Sequence, residues 1–235
     1  MSNKPRKTDI QISESKSDAV RRRVMDWSNV VPGIGPIVNA LTNEIIPDSR
    51  MERLAAFMQY LEARINRVEL GTATQAPDGL DFFEEGMWQA ARALSDERKQ
   101  HIATLVANGL KAEPNEKSEI RHFIRILPKL DDRQIILLCG YLPEYQVLGD
   151  ELGDAFFEKH EAIFNPPEFT QGGSMLISPG GDLNASMKFH LSSLGLLGVN
   201  ETFESSSGRL DKKQYNLSPL GERFLRFLGL GEPEQ

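Results

Sequence analysis

Between residues 185 and 229 the spacing of apolar side chains changes twice, and this limits the folds open to the chain more than any other feature. The stretch reads ASMKFHLSSLGLLGVNETFESSSGRLDKKQYNLSPLGERFLRFLG. A helix ends near the run LGLL. Val199, Glu201 and Phe203 then alternate onto one face, as in a strand. A polar tip, ESSSGRLDKK, leads to a second alternating piece with Tyr215 and Leu217. Ser218 is placed to cap a closing helix with Pro219 in its first turn, and Leu220, Phe224, Phe227 and Leu228 supply its apolar face. The order predicted is helix, hairpin, helix.

That arrangement resembles the C-terminal portion of a winged-helix domain, in which a helix ending in an LGLL-like run feeds a two-stranded wing and often a closing helix. With the helical patterns at about 131 to 145 and 151 to 164, the resemblance covers residues 131–229. Many winged-helix domains bind DNA, so the resemblance directs attention to the helix around Ser186 to Leu194 and the wing around Ser205 to Lys213. The candidate protein or nucleic-acid contacts are Lys188, His190 and Ser192 on the helix and Arg209, Lys212 and Lys213 on the wing.

Charge argues against the DNA reading. The formal net charge is −7, but it is unevenly spread: 19 Lys and Arg face 18 Asp and Glu through residue 130, and 8 face 16 thereafter. Duplex binding draws most of its non-specific affinity from cations on phosphates, and Lys188 is the only Lys or Arg in the predicted recognition helix. Winged helices also serve as protein-interaction modules, and an acidic surface suits that use.

From about residue 17 to 128 the pattern is helical. Met51, Leu54, Met58, Leu61, Ile65 and Val68 follow in three-four alternation, the a/d seam of a bundle or coiled coil and a candidate line of self-association. Ser49 with Glu52 reads as a capping box opening this helix, and Gly71 as its end, before the polar linker GTATQAPDG. Two further helices follow over residues 80–110, the second capped by Ser95 with Ile102, Leu105, Val106 and Leu110 inward. Another carries Ile120, Phe123, Ile124 and Leu127 and stops at Pro128.

Upstream, Val20, Val24, Trp27 and Val31 form a short apolar stripe beside Arg21, Arg22 and Arg23. Together with the following VVPGIGPIV, the basic residues Arg21, Arg22 and Arg23 and Trp27 are candidate membrane or anion contacts. The simpler reading makes PGIGP a corner before a short core helix lined by Ile37, Ala40, Leu41 and Ile45 and closed by Pro47.

No catalytic pattern stands out. The four histidines lack metal-ligand spacing, there is no G-x-S-x-G elbow or P-loop, and Cys139 in IILLCGYL reads as a buried small hydrophobe. The segment 165–183, rich in Pro and Gly, is long for a loop and reads as a turn-rich connector, with a short strand near Met175 to Ile177 or a functional loop as the alternatives.

The expectation is therefore a mainly α protein. A flexible tail (1–16) precedes an N-terminal helical bundle (17–128), and a winged-helix-like α+β domain with a small β-hairpin (131–229) precedes a short tail (230–235). The expected role is a non-enzymatic regulatory or adaptor protein that works through a protein partner or self-association, without cofactor or small-molecule substrate. A DNA-binding transcriptional regulator is the alternative, and a peripheral membrane protein the third reading. With one cysteine, no signal-peptide pattern and no apolar run long enough to span a bilayer, the expected location is cytoplasmic.

Overall fold

A computed structural model of the chain describes residues 22, 26, 48–147, 149–165, 179–203 and 210–231. Within them the protein is mainly helical and carries one small antiparallel sheet of two strands. The chain divides into two compact units, Met1–Lys99 and Gln100–Gln235. The change of composition near residue 130 falls inside the second. Of the predicted features, Arg21, Arg23, Trp27, the PGIGP corner with the helix after it, the strand at Met175 to Ile177 and the hairpin tip with Arg209 lie outside the described residues.

In the first unit the core forms between α1 (Asp48–Glu62) and α3 (Pro77–Arg92), joined by the short α2 (Arg67–Ala73). Met51, Leu54, Met58, Leu61 and Ile65 are all buried, so packing within the chain accounts for these five positions of the seam. Phe57 meets Phe83 with ring centroids 6.5 Å apart, and the Arg53 guanidinium donates to the Ala91 carbonyl at 3.2 Å.

Val68 departs from the predicted seam. It is 79% exposed, because the single helix expected from Ser49 to Leu70 is two helices separated by a turn over residues 63–66. Asn66 marks the break: its side chain accepts from the Glu69 N–H at 2.9 Å while the Glu69 carboxylate accepts from the Asn66 N–H, a capping box that starts a second helix. Two other expectations shift with it. Ser49 lies inside α1, which already includes Asp48, rather than capping it. Gly71 lies inside α2, whose C-cap is Thr74, and the polar linker shrinks to the few residues before Pro77 at the first position of α3. Ser95 does cap α4 (Asp96–Lys111), its hydroxyl accepting from the Arg98 N–H at 3.1 Å.

The second unit begins within α4, whose Ile102, Leu105 and Val106 are buried. It continues with α5 (Lys117–Ile126), a 3-10 turn at Leu127–Lys129, α6 (Asp132–Cys139), a 3-10 turn at Pro143–Tyr145, α7 (Glu151–Lys159), α8 (Glu161–Phe164) and α9 (Pro179–Ser193). Strands β1 (Leu197–Phe203) and β2 (Leu210–Leu217) then lead into α10 (Pro219–Phe227). The pattern on α5 holds, with Ile120, Phe123, Ile124 and Leu127 all buried. Phe123 packs against Phe224 and Phe227 of α10 at centroid distances of 5.4 and 5.6 Å, and the Asn108 side chain donates to the Phe227 carbonyl at 2.9 Å.

The hairpin follows the predicted alternation. Val199 stands opposite Tyr215 and Glu201 opposite Lys213, with an irregularity of register between Thr202 and Phe203. Helix α9 enters it through Gly195, at φ 75°, a conformation that an L side chain rarely adopts. The Leu196 N–H returns to the Leu191 carbonyl at 3.0 Å and the Gly195 N–H to that of Ser192 at 2.9 Å, the Schellman pattern that closes a helix. Ser218 caps α10 by accepting from the Gly221 N–H at 2.9 Å, and its own hydroxyl donates to the Gly195 carbonyl at 2.6 Å. One serine thus joins the end of α9 to the start of α10.

Candidate interaction surface

Helix α9 buries Met187 and Leu191, and the Asn184 side chain donates to the Ile163 carbonyl at 2.8 Å, tying it to α8. What remains outside mixes large apolar and hydroxyl side chains: Phe189 is 66% exposed, and Leu183, Ser186 and Ser193 are also exposed. The candidate polar contacts on this helix are held inward or engaged. Lys188 is half-buried, and that burial lowers its pKa from the ordinary lysine value. Ser192 is half-buried in the last turn of the helix.

His190 is fixed by a chain of hydrogen bonds that begins at the start of α6. Asp131 caps α6 by accepting from the Gln134 N–H at 2.8 Å, and the Gln134 side-chain oxygen accepts from the Asp131 N–H at 3.0 Å. That capping box leaves the amide nitrogen of Gln134 to face His190 Nδ1 at 2.8 Å. The amide must donate there, so Nδ1 accepts and the imidazole proton sits on Nε2. The residue therefore links α6 to α9.

On the hairpin, Lys213 is exposed, its Nζ 5.7 Å from the centre of the Tyr215 ring and its Cα opposite Glu201. Lys212 belongs to β2, where it faces Thr202. Arg22, the one described member of the basic cluster, is helical and exposed.

A second surface, which periodicity alone does not reveal, is built from the residues following α6. The turn Pro143–Tyr145 brings Tyr145 onto Phe156 of α7 with ring centroids 4.2 Å apart and planes within 12°. Gly153 permits this approach, because a Cβ there would stand 2.8 Å from the Tyr145 carbonyl oxygen. Phe164 closes on Phe156 at 5.8 Å and on Phe157 at 4.8 Å, giving a ledge of four half-exposed rings. The signal in the sequence is the FF pair of DAFFEK. Adjacent helical residues point about 100° apart, so a single buried stripe does not accommodate both.

Beside the ledge is a cleft of about 290 Å³, lined by Leu142, Pro143, Glu144 and Val147 on one side and by Glu222, Arg226 and Gly231 on the other. Arg226 pairs with Glu222 at 2.6 Å. The Oε1 atom of Glu144 is buried without a hydrogen-bond partner.

Behind the cleft lies Cys139, 5% exposed, and burial first and the Glu144 charge second push its thiol up to about 12. Burial likewise raises the Tyr141 hydroxyl to about 12. Both groups keep their protons in the folded state at pH values where the unfolded chain releases them. Stability is therefore complete below the ordinary thiol value of 9.0 and falls as the pH rises toward about 12. We expect an aromatic disulfide reagent at about pH 8 to leave the folded thiol untouched and to modify it fully in denaturant. Rapid labelling of the native protein would contradict the burial.

No protein-family model, curated protein or solved structure matches this chain. Among the described residues, no helix is long and apolar enough to cross a membrane, and no group of three or more His, Cys, Asp or Glu is arranged to hold a metal ion.

Proposed function

We propose that this chain is a non-enzymatic regulatory or adaptor protein acting through protein contacts, with residues 131–229 forming a winged-helix-like interaction module. The observation that carries this reading is the outer face of α9. The helix that a DNA-binding winged helix would present to a groove here exposes Phe189 and Leu183, while Lys188 is half-buried and His190 is bound to Gln134. Exposed aromatic and aliphatic side chains gain by being covered by another protein, whereas phosphate contacts call for exposed cations. The acidic balance of this half supports the same choice.

Phe189→Glu separates this reading from its DNA-binding alternative. Affinity capture from extract of the native host, performed with the full chain, is expected to recover a protein that the variant fails to retain, with its thermal midpoint within about 2 °C of the wild type. Duplex binding that weakens steeply with salt, is unaffected by Phe189→Glu and is lost on Lys212→Ala with Lys213→Ala would favour the transcriptional regulator instead.

A further inference from the structure

The charge around the aromatic ledge is one-sided. From Pro143 to Phe164 the chain carries six carboxylates, on Glu144, Asp150, Glu151, Asp154, Glu158 and Glu161, against a single ammonium on Lys159. Along α7 the residues Glu151, Asp154 and Glu158 recur at helical spacing and are exposed. Next to that acidic row runs an apolar one: Leu152 is 55% exposed, and Phe156, one turn on, is half-exposed and stacked on Tyr145. Val147, 59% exposed, carries the apolar surface into the cleft, which Glu144 also lines.

Each property narrows the occupant. A carboxylate row repels phosphate backbones and anionic lipid headgroups, which removes nucleic acid and acidic membranes as ligands. A small cation would satisfy Glu144 but leave Val147 and Leu152 wet, and apolar side chains gain only when covered. A helix with an apolar stripe and a basic flank meets all three demands. Its aliphatic side chains cover Val147, Leu152 and the ring edges, its basic flank faces Glu151, Asp154 and Glu158, and one arginine or lysine enters the cleft beside the Glu144 carboxylate.

We propose that the cleft beside Glu144 and the adjoining ledge of Tyr145, Leu152 and Phe156 form the docking site for a basic, amphipathic helix of a partner protein. This rests on the protein-interaction reading above and adds to it the chemistry of the partner and a site separate from Phe189. Arg226 does not oppose the arrangement, because its charge is already answered by Glu222.

The test uses the full chain and a fluorescein-labelled helical peptide of about 16 residues with leucine on one face and arginine on the other, read by anisotropy. Saturable binding is expected, weakening at least about tenfold between about 0.05 M and 0.5 M salt. Glu144→Gln and Leu152→Ser are each expected to weaken it about tenfold, while Phe189→Glu leaves it unchanged. A control peptide with glutamate in place of arginine is expected not to bind. Glu144→Gln keeps the shape of the side chain and Leu152 is exposed, and an unchanged melting curve verifies the fold; Val147→Ser substitutes for either variant that melts early. Absence of saturable binding overturns the proposal, as does binding that ignores both Glu144→Gln and Leu152→Ser, which would mark general attraction to an acidic protein. Self-association that those variants abolish, without peptide binding, overturns it in favour of a second copy. Peptide failure alongside a Phe189-dependent capture defeats this inference and leaves the broader reading standing.

Discussion

Phe123→Ala is expected to cost about 3–5 kcal/mol, the range for truncating a fully buried phenylalanine. Phe123 is wholly buried, and its ring lies against Phe224 and Phe227, so the substitution removes the surface that joins α5 to α10. The two phenylalanines of α10 cannot move in to fill the gap independently. Phe224 is itself fully buried, and the Asn108 hydrogen bond holds the Phe227 carbonyl. Urea unfolding followed by far-ultraviolet circular dichroism measures the loss. Phe123→Leu is expected to retain most of the stability, since it keeps apolar volume at the site. A cost below about 1 kcal/mol for the alanine variant would mean that α5 and α10 are not packed in this way.

Gly221→Ala is a test in which two effects of opposite sign compete. Gly221 lies in the first turn of α10, where propensity alone favours alanine over glycine by about 1 kcal/mol. The added Cβ, however, would fall inside van der Waals contact of the Leu196 carbonyl oxygen and stand 3.0 Å from Leu217 Cδ1. The obstacle at Leu196 is backbone, and that same carbonyl accepts the Ser218 N–H at 3.1 Å, so relief of the clash loosens the cap as well. Overpacking costs about 1–3 kcal/mol, and with no flexible side chain to yield at Leu196 the upper end applies. The net expectation is destabilisation of about 2 kcal/mol, with faster amide exchange at Ser218. A more stable variant would show that α10 does not approach Leu196 so closely.

Short-range signals were legible in the sequence wherever a few neighbouring residues decide the outcome. Ser95 and Ser218 cap the helices assigned to them, and the alternation of Val199 with Tyr215 and Leu217 becomes a paired hairpin. The failures occur where two local signals compete. Three-four alternation from Met51 to Val68 argues for one helix, but the box of Asn66 with Glu69 argues for a new start, and the box prevails: Ile65 is buried in the turn before it and Val68 beyond it is exposed. Ser49 with Glu52 has the letters of a capping box, yet the chain is already helical at Asp48.

The candidate site was legible only in its pieces. Lys188 and His190 fall on the helix expected of them, but nothing in their spacing foretells that one is half-buried and the other joined to Gln134, 56 residues away. The ledge escaped for a related reason. Its rings come from a turn and two short helices, each too brief for periodicity to assign a face, and the stack of Tyr145 on Phe156 depends on a close backbone approach at Gly153.

The pairing of α5 with α10 has a consequence for the order of folding. The ledge joins residues at most 19 positions apart, so its closure costs little chain entropy and suits early formation. The bonds from Asn108 to Phe227 and from Arg223 to Glu119 span 119 and 104 positions. During synthesis Phe123 therefore emerges long before the helix that covers it. A growing chain that has reached the hairpin still displays the uncovered face of α5, and this unit is exposed to aggregation until its last helix arrives.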